Sequence, residues 1–256
     1  MSPSYRLAAG LIVAALACSA LLVTVTGCDE SGSNVAADLT RATNNLVVLL
    51  NNHNSTAANV ALYLVSTYSY NGLTAEEQAE ALKADWPGHV DMMGRTDLGN
   101  SVVRVDLAFA QPAVAGQSAA MTGTGILYLG FQTAADQARF TSVRWVSLQG
   151  SSTIANAPTV TDLKVNGTTV NALTGAALGP VAPGSAVTIT GQTDADTVSA
   201  SVDGATDTST DNPFTIVVNA PATAGTYVVD VQARKMAGTP AITTGLRRIA
   251  AEIIVQ

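Results

Sequence analysis

The sequence has few charged side chains, few aromatic rings and little cysteine or histidine. Of its 256 residues, 12% are charged and 5% are aromatic, with two cysteines and two histidines. The charged share is about half that of an average globular protein. Acidic residues exceed basic ones, and the formal net charge of −7 disfavours a nucleic-acid partner, because phosphate backbones attract basic surfaces. Two cysteines also exclude a fold held by several disulfides.

The usual signatures of catalysis and cofactor binding are absent from the sequence. It contains no His-Glu-x-x-His, Cys-x-x-Cys or Gly-x-Ser-x-Gly motif and no phosphate-binding loop. We therefore predict no cofactor, no metal and no catalytic residue, and the sequence favours a non-enzymatic protein.

Two groups of polar residues leave an alternative open. His89 and Asp91 would lie on one side of an extended segment as a general-base pair, although a solvated loop histidine is the simpler interpretation. Clustered aspartates could serve a calcium ion, but turn formation explains them more simply. These aspartates are Asp194, Asp196, Asp203, Asp207 and Asp211.

The N-terminal segment has the layout of an export signal. Met1–Arg6 is short and polar, and Leu7–Gly27 contains no charged residue over 21 positions. The character changes at Cys28, which is followed by an acidic pair and by the polar segment Ser31–Asn34. A positively charged start, an apolar stretch and small residues before a cleavage point are typical of secreted proteins.

The end of this segment, Val25-Thr26-Gly27-Cys28, resembles the lipobox of bacterial lipoproteins. The resemblance implies that residues 1–27 are a signal peptide and that Cys28 carries lipid. The chain would then be anchored to a membrane of the bacterial cell envelope, facing the periplasm or the exterior, with residues 28–34 as a spacer. The alternative is an uncleaved signal anchor, because 21 residues at about 1.5 Å each can cross a bilayer.

The order of predicted elements indicates an α+β domain over residues 35–155. Apolar residues at helical spacing predict three helices, and a switch to alternating periodicity predicts an antiparallel sheet of at least three strands. The predicted helices are Val35–Asn51, a segment from Ser55 or Thr56 through Tyr68, and a segment from the capping box at Thr74 to about Asp85. The predicted strands are Ser101–Gln111, Ala119–Gln132 and Phe140–Gln149.

This order of helices and strands resembles the NTF2-like fold, and equally a cystatin-like arrangement. The NTF2-like resemblance implies an open pocket between helices and a curved sheet, and aromatic side chains would line it. Arginines could recognise an anionic ligand there. The alternatives are an ordinary aromatic core and an exposed Arg104–Asp106 ion pair. The candidate pocket residues are Tyr63, Trp86, Phe109, Tyr128, Arg104 and Arg144.

Residues 156–256 are predicted to form an all-β sandwich, because seven short strands are separated by turn residues. The segment Ala224–Val231 is similar to the sixth strand of bacterial Ig-like domains. That resemblance implies that the Tyr227 hydroxyl bonds back to the preceding turn. The seven strands are Val160–Val165, Ser185–Gly191, Val198–Val202, Thr206–Ser209, Phe214–Asn219, Thr226–Ala233 and Gly245–Val255.

Together these features predict a membrane-anchored envelope lipoprotein with a non-enzymatic binding, assembly or scaffold role. Its partners would be the membrane, through the lipid, and another envelope protein. The alternative is a pocket for a small molecule, with or without enzymatic activity, in an NTF2-like first domain.

Overall fold

The computed structural model describes residues 30–134, 137–152, 156–170 and 178–256. The predicted signal peptide and lipidation site, Cys28, lie outside the described residues. Within the described ranges, no helix combines the length and the apolar character needed to cross a membrane.

The described chain is rich in β-strand and has three α-helices, all near its N-terminus. The helices are α1 (Glu30–Asn51), α2 (Ala57–Ala61) and α3 (Ala75–Ala84), with a 3-10 turn at Tyr70–Gly72. The strands are β1 (His89–Gly99), β2 (Val102–Gln111), β3 (Met121–Ala134), β4 (Gln137–Ser151), β5 (Val160–Val165), β6 (Thr168–Thr169), β7 (Leu178–Val181), β8 (Ala186–Thr193), β9 (Thr197–Val202), β10 (Ala205–Ser209), β11 (Phe214–Asn219), β12 (Gly225–Ala237) and β13 (Ile242–Val255).

The strands form two mainly antiparallel sheets. The larger has the order β1-β2-β3-β4-β13-β12-β9-β10, and β7 pairs with β13 in parallel. The smaller has the order β11-β8-β5-β6 and packs against part of the larger one, as in a β-sandwich. Gly245–Ile249 of β13 pairs with Ser147–Ser151 of β4. This pairing joins β1–β4 to β13, β12, β9 and β10 in one continuous sheet.

The buried apolar side chains form two clusters, one on each side of that pairing. The first contains residues between Leu39 and Leu148, where the helices cover the sheet. The second contains residues between Leu163 and Val255, inside the sandwich. We call residues 30–152 the N-terminal half and residues 156–256 the C-terminal half. Each half therefore has a core of its own, and the shared sheet joins them.

Two of the three predicted helices form much as expected. At α3, Thr74 and Glu77 make the reciprocal capping box that satisfies free backbone N–H groups. The helix α1 ends at Asn51 as predicted but begins at Glu30. The segment predicted as a spacer, residues 28–34, is thus helical from Glu30 onward. Extending an existing helix by one residue costs little compared with nucleating it, so polar residues can be included.

The predicted helix from Thr56 through Tyr68 is wrong beyond Ala61. Thr56 caps its start, but the helix lasts five residues. The chain then turns to pair with β4, where Val65 N donates to the Phe140 carbonyl oxygen at 3.0 Å and Phe140 N donates to the Tyr63 carbonyl oxygen at 2.8 Å. Tertiary pairing with a strand thus overrides helical spacing in this segment.

The strand predictions are confirmed within a few residues at their ends. All three predicted strands of the N-terminal half are present, as are all seven of the C-terminal half. Strand β1 was not predicted, because its Met-Met-Gly-Arg-Thr-Asp stretch does not alternate. Two irregularities in its register with β2, at Met92/Gly94 and Asp97/Gly99, further break the period of two.

We expect a fragment ending at Ser152 to keep a cooperative unfolding transition at a lower Tm than the full chain. Its core residues all remain, but β4 loses β13 and becomes an exposed sheet edge. Differential scanning calorimetry tests this, with analytical ultracentrifugation to detect edge-to-edge association. Non-cooperative melting would show that the N-terminal half cannot fold without the C-terminal half.

Candidate functional site

The structure places two of the predicted pocket residues inside the core of the N-terminal half. Phe109 is 5% exposed and Trp86 is 8% exposed. The Phe109 ring lies so close to Gly123 that a Cβ there would approach ring atom Cε1 to 2.7 Å. The Trp86 indole donates to Asn51 Oδ1 at 2.9 Å and stacks near Trp145, with ring centroids 5.4 Å apart. Both rings therefore fill space between helices and sheet.

The other four predicted residues lie in two different places. Tyr63 borders a cleft beside α1 together with Arg41 and Arg139. Arg104 is half-buried and pairs with Asp106 on its own strand, with the guanidinium nitrogen 2.6 Å from the carboxylate oxygen. Tyr128 and Arg144 face each other across β3 and β4, with the guanidinium carbon 5.3 Å from the ring centroid. Arg104 also faces Tyr128 across β2 and β3, so Arg104, Tyr128 and Arg144 form one row across three neighbouring strands.

The His89–Asp91 pair and the clustered aspartates, for which catalysis and calcium binding were the alternatives, both lie at the surface. His89 Nε2 lies 3.3 Å from Asp91, but their side chains are 66% and 73% exposed. Asp194 accepts from Thr159 N and from Lys235, and Lys235 is the main reason that the pKa of Asp194 falls to about 2. In the described ranges, no three His, Cys, Asp or Glu side chains are grouped closely enough to hold a metal.

The most elaborate polar site in the described chain lies where β4 and β13 separate. Beyond Ile249, β13 no longer pairs with β4, and charged side chains from both halves fill the space between them. We call this group the seam. Its members are Tyr70, Asp85 and Arg144 from the N-terminal half and Asp230, Arg248 and Glu252 from the C-terminal half.

Arg248 lies at the centre of one part of the seam. Its Nε donates to Asp230 Oδ1 at 2.7 Å, and its Nη2 donates to Asp85 Oδ2 at 3.1 Å. Burial alone would lower the pKa of Arg248, but the two carboxylates outweigh burial and raise it. Asp85 is the C-cap of α3, so Arg248 connects a helix of one half to a strand of the other.

Glu252 lies at the centre of the second part. It accepts from the Tyr70 hydroxyl at 2.6 Å and lies 3.3 Å from Arg144 Nε. Arg144 is 8% exposed and Glu252 is 18% exposed. Burial raises the pKa of the Tyr70 hydroxyl far above its ordinary value, and the negative charge of Glu252 raises it further. Tyr70 is therefore held as a neutral donor to a buried carboxylate.

The loop before α3 adds a backbone contact to the seam. Asn71 Oδ1 accepts from Val228 N at 2.9 Å, which satisfies a part-buried strand amide. Asn71 has a φ of 58° and Gly72 has a φ of 72°, the left-handed region that asparagine and glycine tolerate best. The Asn-Gly pair thus lets the loop turn tightly enough to place both Tyr70 and Asn71 against the C-terminal half.

The seam borders an open cleft of about 340 Å³ whose wall also includes Gln78 and Trp145. Of the three carboxylates that line it, Asp230 is bound by Arg248 and Gln232, Asp85 is bound by Arg248, and Asp203 is exposed. A general acid or base needs a proton-accepting atom free to reach a substrate. The arrangement is therefore better suited to joining the two halves than to proton transfer.

Sequence reasoning predicted only Arg144 among the seam residues. The sequence contains a signal for three of the others. Asp230 interrupts the Val-rich strand β12, and Arg248 and Glu252 interrupt the apolar strand β13. Charged residues on the outer face of a sandwich strand usually meet water. Only the three-dimensional structure shows that this face is covered by α3 and the Tyr70–Gly72 turn.

No protein-family model matches this chain, and neither a curated protein nor a solved structure matches it at a significant level.

We expect Arg248→Met to destabilise the fold by about 3 kcal/mol, because it leaves the buried Asp230 carboxylate without its cation. Arg234→Met is the matched control, since Arg234 lies on β12 but is exposed, and it should cost under about 0.5 kcal/mol. Adding Asp230→Leu to Arg248→Met should recover part of the loss. Urea unfolding measures all three, and equal costs for the two single variants would contradict a structural role for Arg248.

We predict that the protein loses stability at alkaline pH because of two tyrosines, Tyr68 and Tyr70. Burial raises the pKa of both Tyr68 and Tyr70 above the ordinary value of 10.0. The unfolded chain therefore releases these protons at lower pH than the folded chain does. Their contribution to folding is complete below pH 10 and is lost as pH rises further, by about 1.4 kcal/mol per pH unit for each tyrosine.

Tyr70→Phe should reduce the slope of the unfolding free energy against pH by about 1.4 kcal/mol per pH unit, which is the contribution of one proton. The measurement is the free energy of unfolding in urea between about pH 9 and about pH 11.5. Tyr70→Phe also removes the bond to Glu252, so the slope with pH is the informative quantity and the absolute stability is not. An unchanged slope would show that Tyr70 ionises in the folded protein.

Proposed function

We propose that this protein is a bacterial envelope lipoprotein, anchored through Cys28, whose folded part acts as a non-enzymatic scaffold or assembly module. The anchor rests on the sequence, where a cysteine follows Gly27 at the end of an uncharged stretch. One acyl chain holds a protein only marginally at a bilayer, whereas two or more hold it durably. The partners of such a module are the membrane and another envelope protein.

We further propose that the two halves are an α+β domain and an Ig-like sandwich. In the N-terminal half, helices cover one face of an antiparallel sheet, in the order that the NTF2-like resemblance implies. In the C-terminal half, the Tyr227 hydroxyl donates to the Thr223 carbonyl oxygen at 3.1 Å, which is the contact implied by the resemblance to Ig-like domains. Both assignments concern fold and leave the function to be argued separately.

The observation that carries the scaffold role is the continuous sheet through both halves. Domains joined only by a linker are expected to move relative to one another. Here the β4–β13 pairing, two arginine-centred contacts and the Asn71–Val228 bond all connect the halves. A rigid body of this kind holds a docking surface at a fixed position relative to its anchor.

A small-molecule pocket in the N-terminal half has less support. Trp86 and Phe109 are core residues, Tyr63 lies at a separate cleft, and Arg144 is engaged with Glu252 and Tyr128. The predicted residues therefore do not enclose one common cavity in the described part of the chain.

Replacing Cys28 tests the anchor directly. We expect Cys28→Ser to leave the signal peptide uncut or to release the protein from membranes, because serine offers no thiol for the lipid. Cys18→Ser is the matched control, since Cys18 lies within the uncharged stretch and would be removed with it. Membrane fractionation and mass spectrometry of the N-terminal peptide give the readout. A native N-terminal peptide that starts upstream of Cys28 and bears no acyl mass would refute the lipoprotein proposal.

A further inference from the structure

A second groove lies on the other side of Tyr70 from the seam. It has a volume of about 620 Å³ and is formed by the loop between α2 and α3, the strands β3 and β4, and the turn before β12. Its size is within the range of about 300–1,000 Å³ typical of small-ligand sites, which often occur between domains. Both halves of the chain contribute to its walls.

This groove is lined without any charged side chain. All fifteen residues around it are neutral, although the chain carries 31 charged residues, 12 basic and 19 acidic. The seam cleft next to it, by contrast, is lined by arginines and aspartates. A charged ligand entering the neutral groove would lose hydration without gaining a counter-charge. The lining therefore selects for neutral ligands.

The groove presents hydroxyl and amide groups that are free to bond a ligand. The side chains of Thr67, Ser69, Thr141, Thr226 and Gln132 make no hydrogen bond to other described residues. Each hydroxyl is both a donor and an acceptor, and the amide adds two donors and an acceptor. A ligand with many hydroxyls of its own would pair well with these groups.

Three tyrosines border the groove but expose little ring surface to it, since Tyr68 and Tyr227 are each 5% exposed. Tyr68 and Tyr70 pack edge to face, with centroids 6.4 Å apart. Their hydroxyls are committed within the protein, since Tyr68 accepts from Val143 N and Tyr70 donates to Glu252. Tyr227 is held likewise by Thr223. The tyrosines therefore hold the walls of the groove in place, and the groups that a ligand would meet are mainly the hydroxyls and the Gln132 amide.

From these features, we propose that the groove between the two halves binds a neutral oligosaccharide. Sugars carry many hydroxyls, which can pair with the free threonine and serine hydroxyls and with the Gln132 amide. The absence of charge in the lining excludes acidic and basic sugars as preferred ligands. This binding activity goes beyond the scaffold role and does not depend on the lipid anchor.

The test uses the full-length protein in a sugar-free polyoxyethylene detergent. The probes are cellotriose, maltotriose and triacetylchitotriose, with trigalacturonate as the anionic and chitotriose as the cationic comparison. Isothermal titration calorimetry and saturation-transfer NMR measure binding. We expect at least one neutral trisaccharide to bind with a Kd below about 1 mM, and the charged ones at least about tenfold more weakly.

Two variants place the binding in the groove. Ser69 is exposed, so Ser69→Trp should fill the groove without disturbing a core, and Thr226→Trp blocks it from the opposite wall. Both should weaken binding at least about tenfold. Thr215→Trp is the control, because Thr215 is an exposed threonine on β11, outside the groove, and it should bind like the parent.

Three results would overturn the proposal. No binding of any neutral trisaccharide up to about 10 mM would show that the groove is not a saccharide site. Binding that persists in both groove variants would place the site elsewhere. Charged trisaccharides that bind as tightly as neutral ones would show that the uncharged lining does not select the ligand. Because none of these results involves membrane attachment, each is distinguishable from failure of the lipoprotein proposal.

Discussion

The pairing of β4 with β13 is the constraint on which the rest of the structure depends. It joins residues far apart in the sequence over the five positions from Gly245 to Ile249. Without it, two cores of ordinary size would be connected only by the chain between β4 and β5. With it, the outer face of the sandwich sheet lies beside the helices of the N-terminal half, and the seam and both clefts exist only because these surfaces meet.

The chemistry of the seam follows from the point at which the two strands separate. Where a sheet splits, backbone groups lose their ladder partners and the space between the strands must be filled. Asn71 supplies one such bond to Val228 N on β12, next to the end of its pairing with β9, and the ion pairs of Arg144 and Arg248 join side chains of the two halves across the gap. A buried ion pair contributes little net stability against a well-packed apolar substitute, but it tolerates few alternative arrangements. The seam therefore fixes how the two halves are oriented more than it strengthens the fold.

Local patterns allowed much of the fold to be predicted, and long-range pairings account for the errors. The strands of the C-terminal half were predictable because alternating β-branched residues are bounded by Asn-Gly, Pro-Gly and Asp-Gly turns, and α3 because Thr74 and Glu77 form its cap. The helix expected through Tyr68 fails because Leu64 and Val65 meet Phe140, a partner that the local sequence does not specify. The seam could not be predicted for the same reason, since its charges belong to segments that no short-range rule brings together.

The position of α1 determines how a lipid at Cys28 would be connected to the folded protein. The helix begins at Glu30, two residues after Cys28, and its buried face packs on the sheet of the N-terminal half. A lipid at Cys28 would therefore be attached close to the start of a helix, without the flexible spacer that Ser31–Asn34 suggested. A short, stiff connection limits both the height and the tilt of the body above the bilayer. Combined with the continuous sheet, it would hold the whole protein, including the neutral groove, at a defined distance from the membrane, as a scaffold role requires.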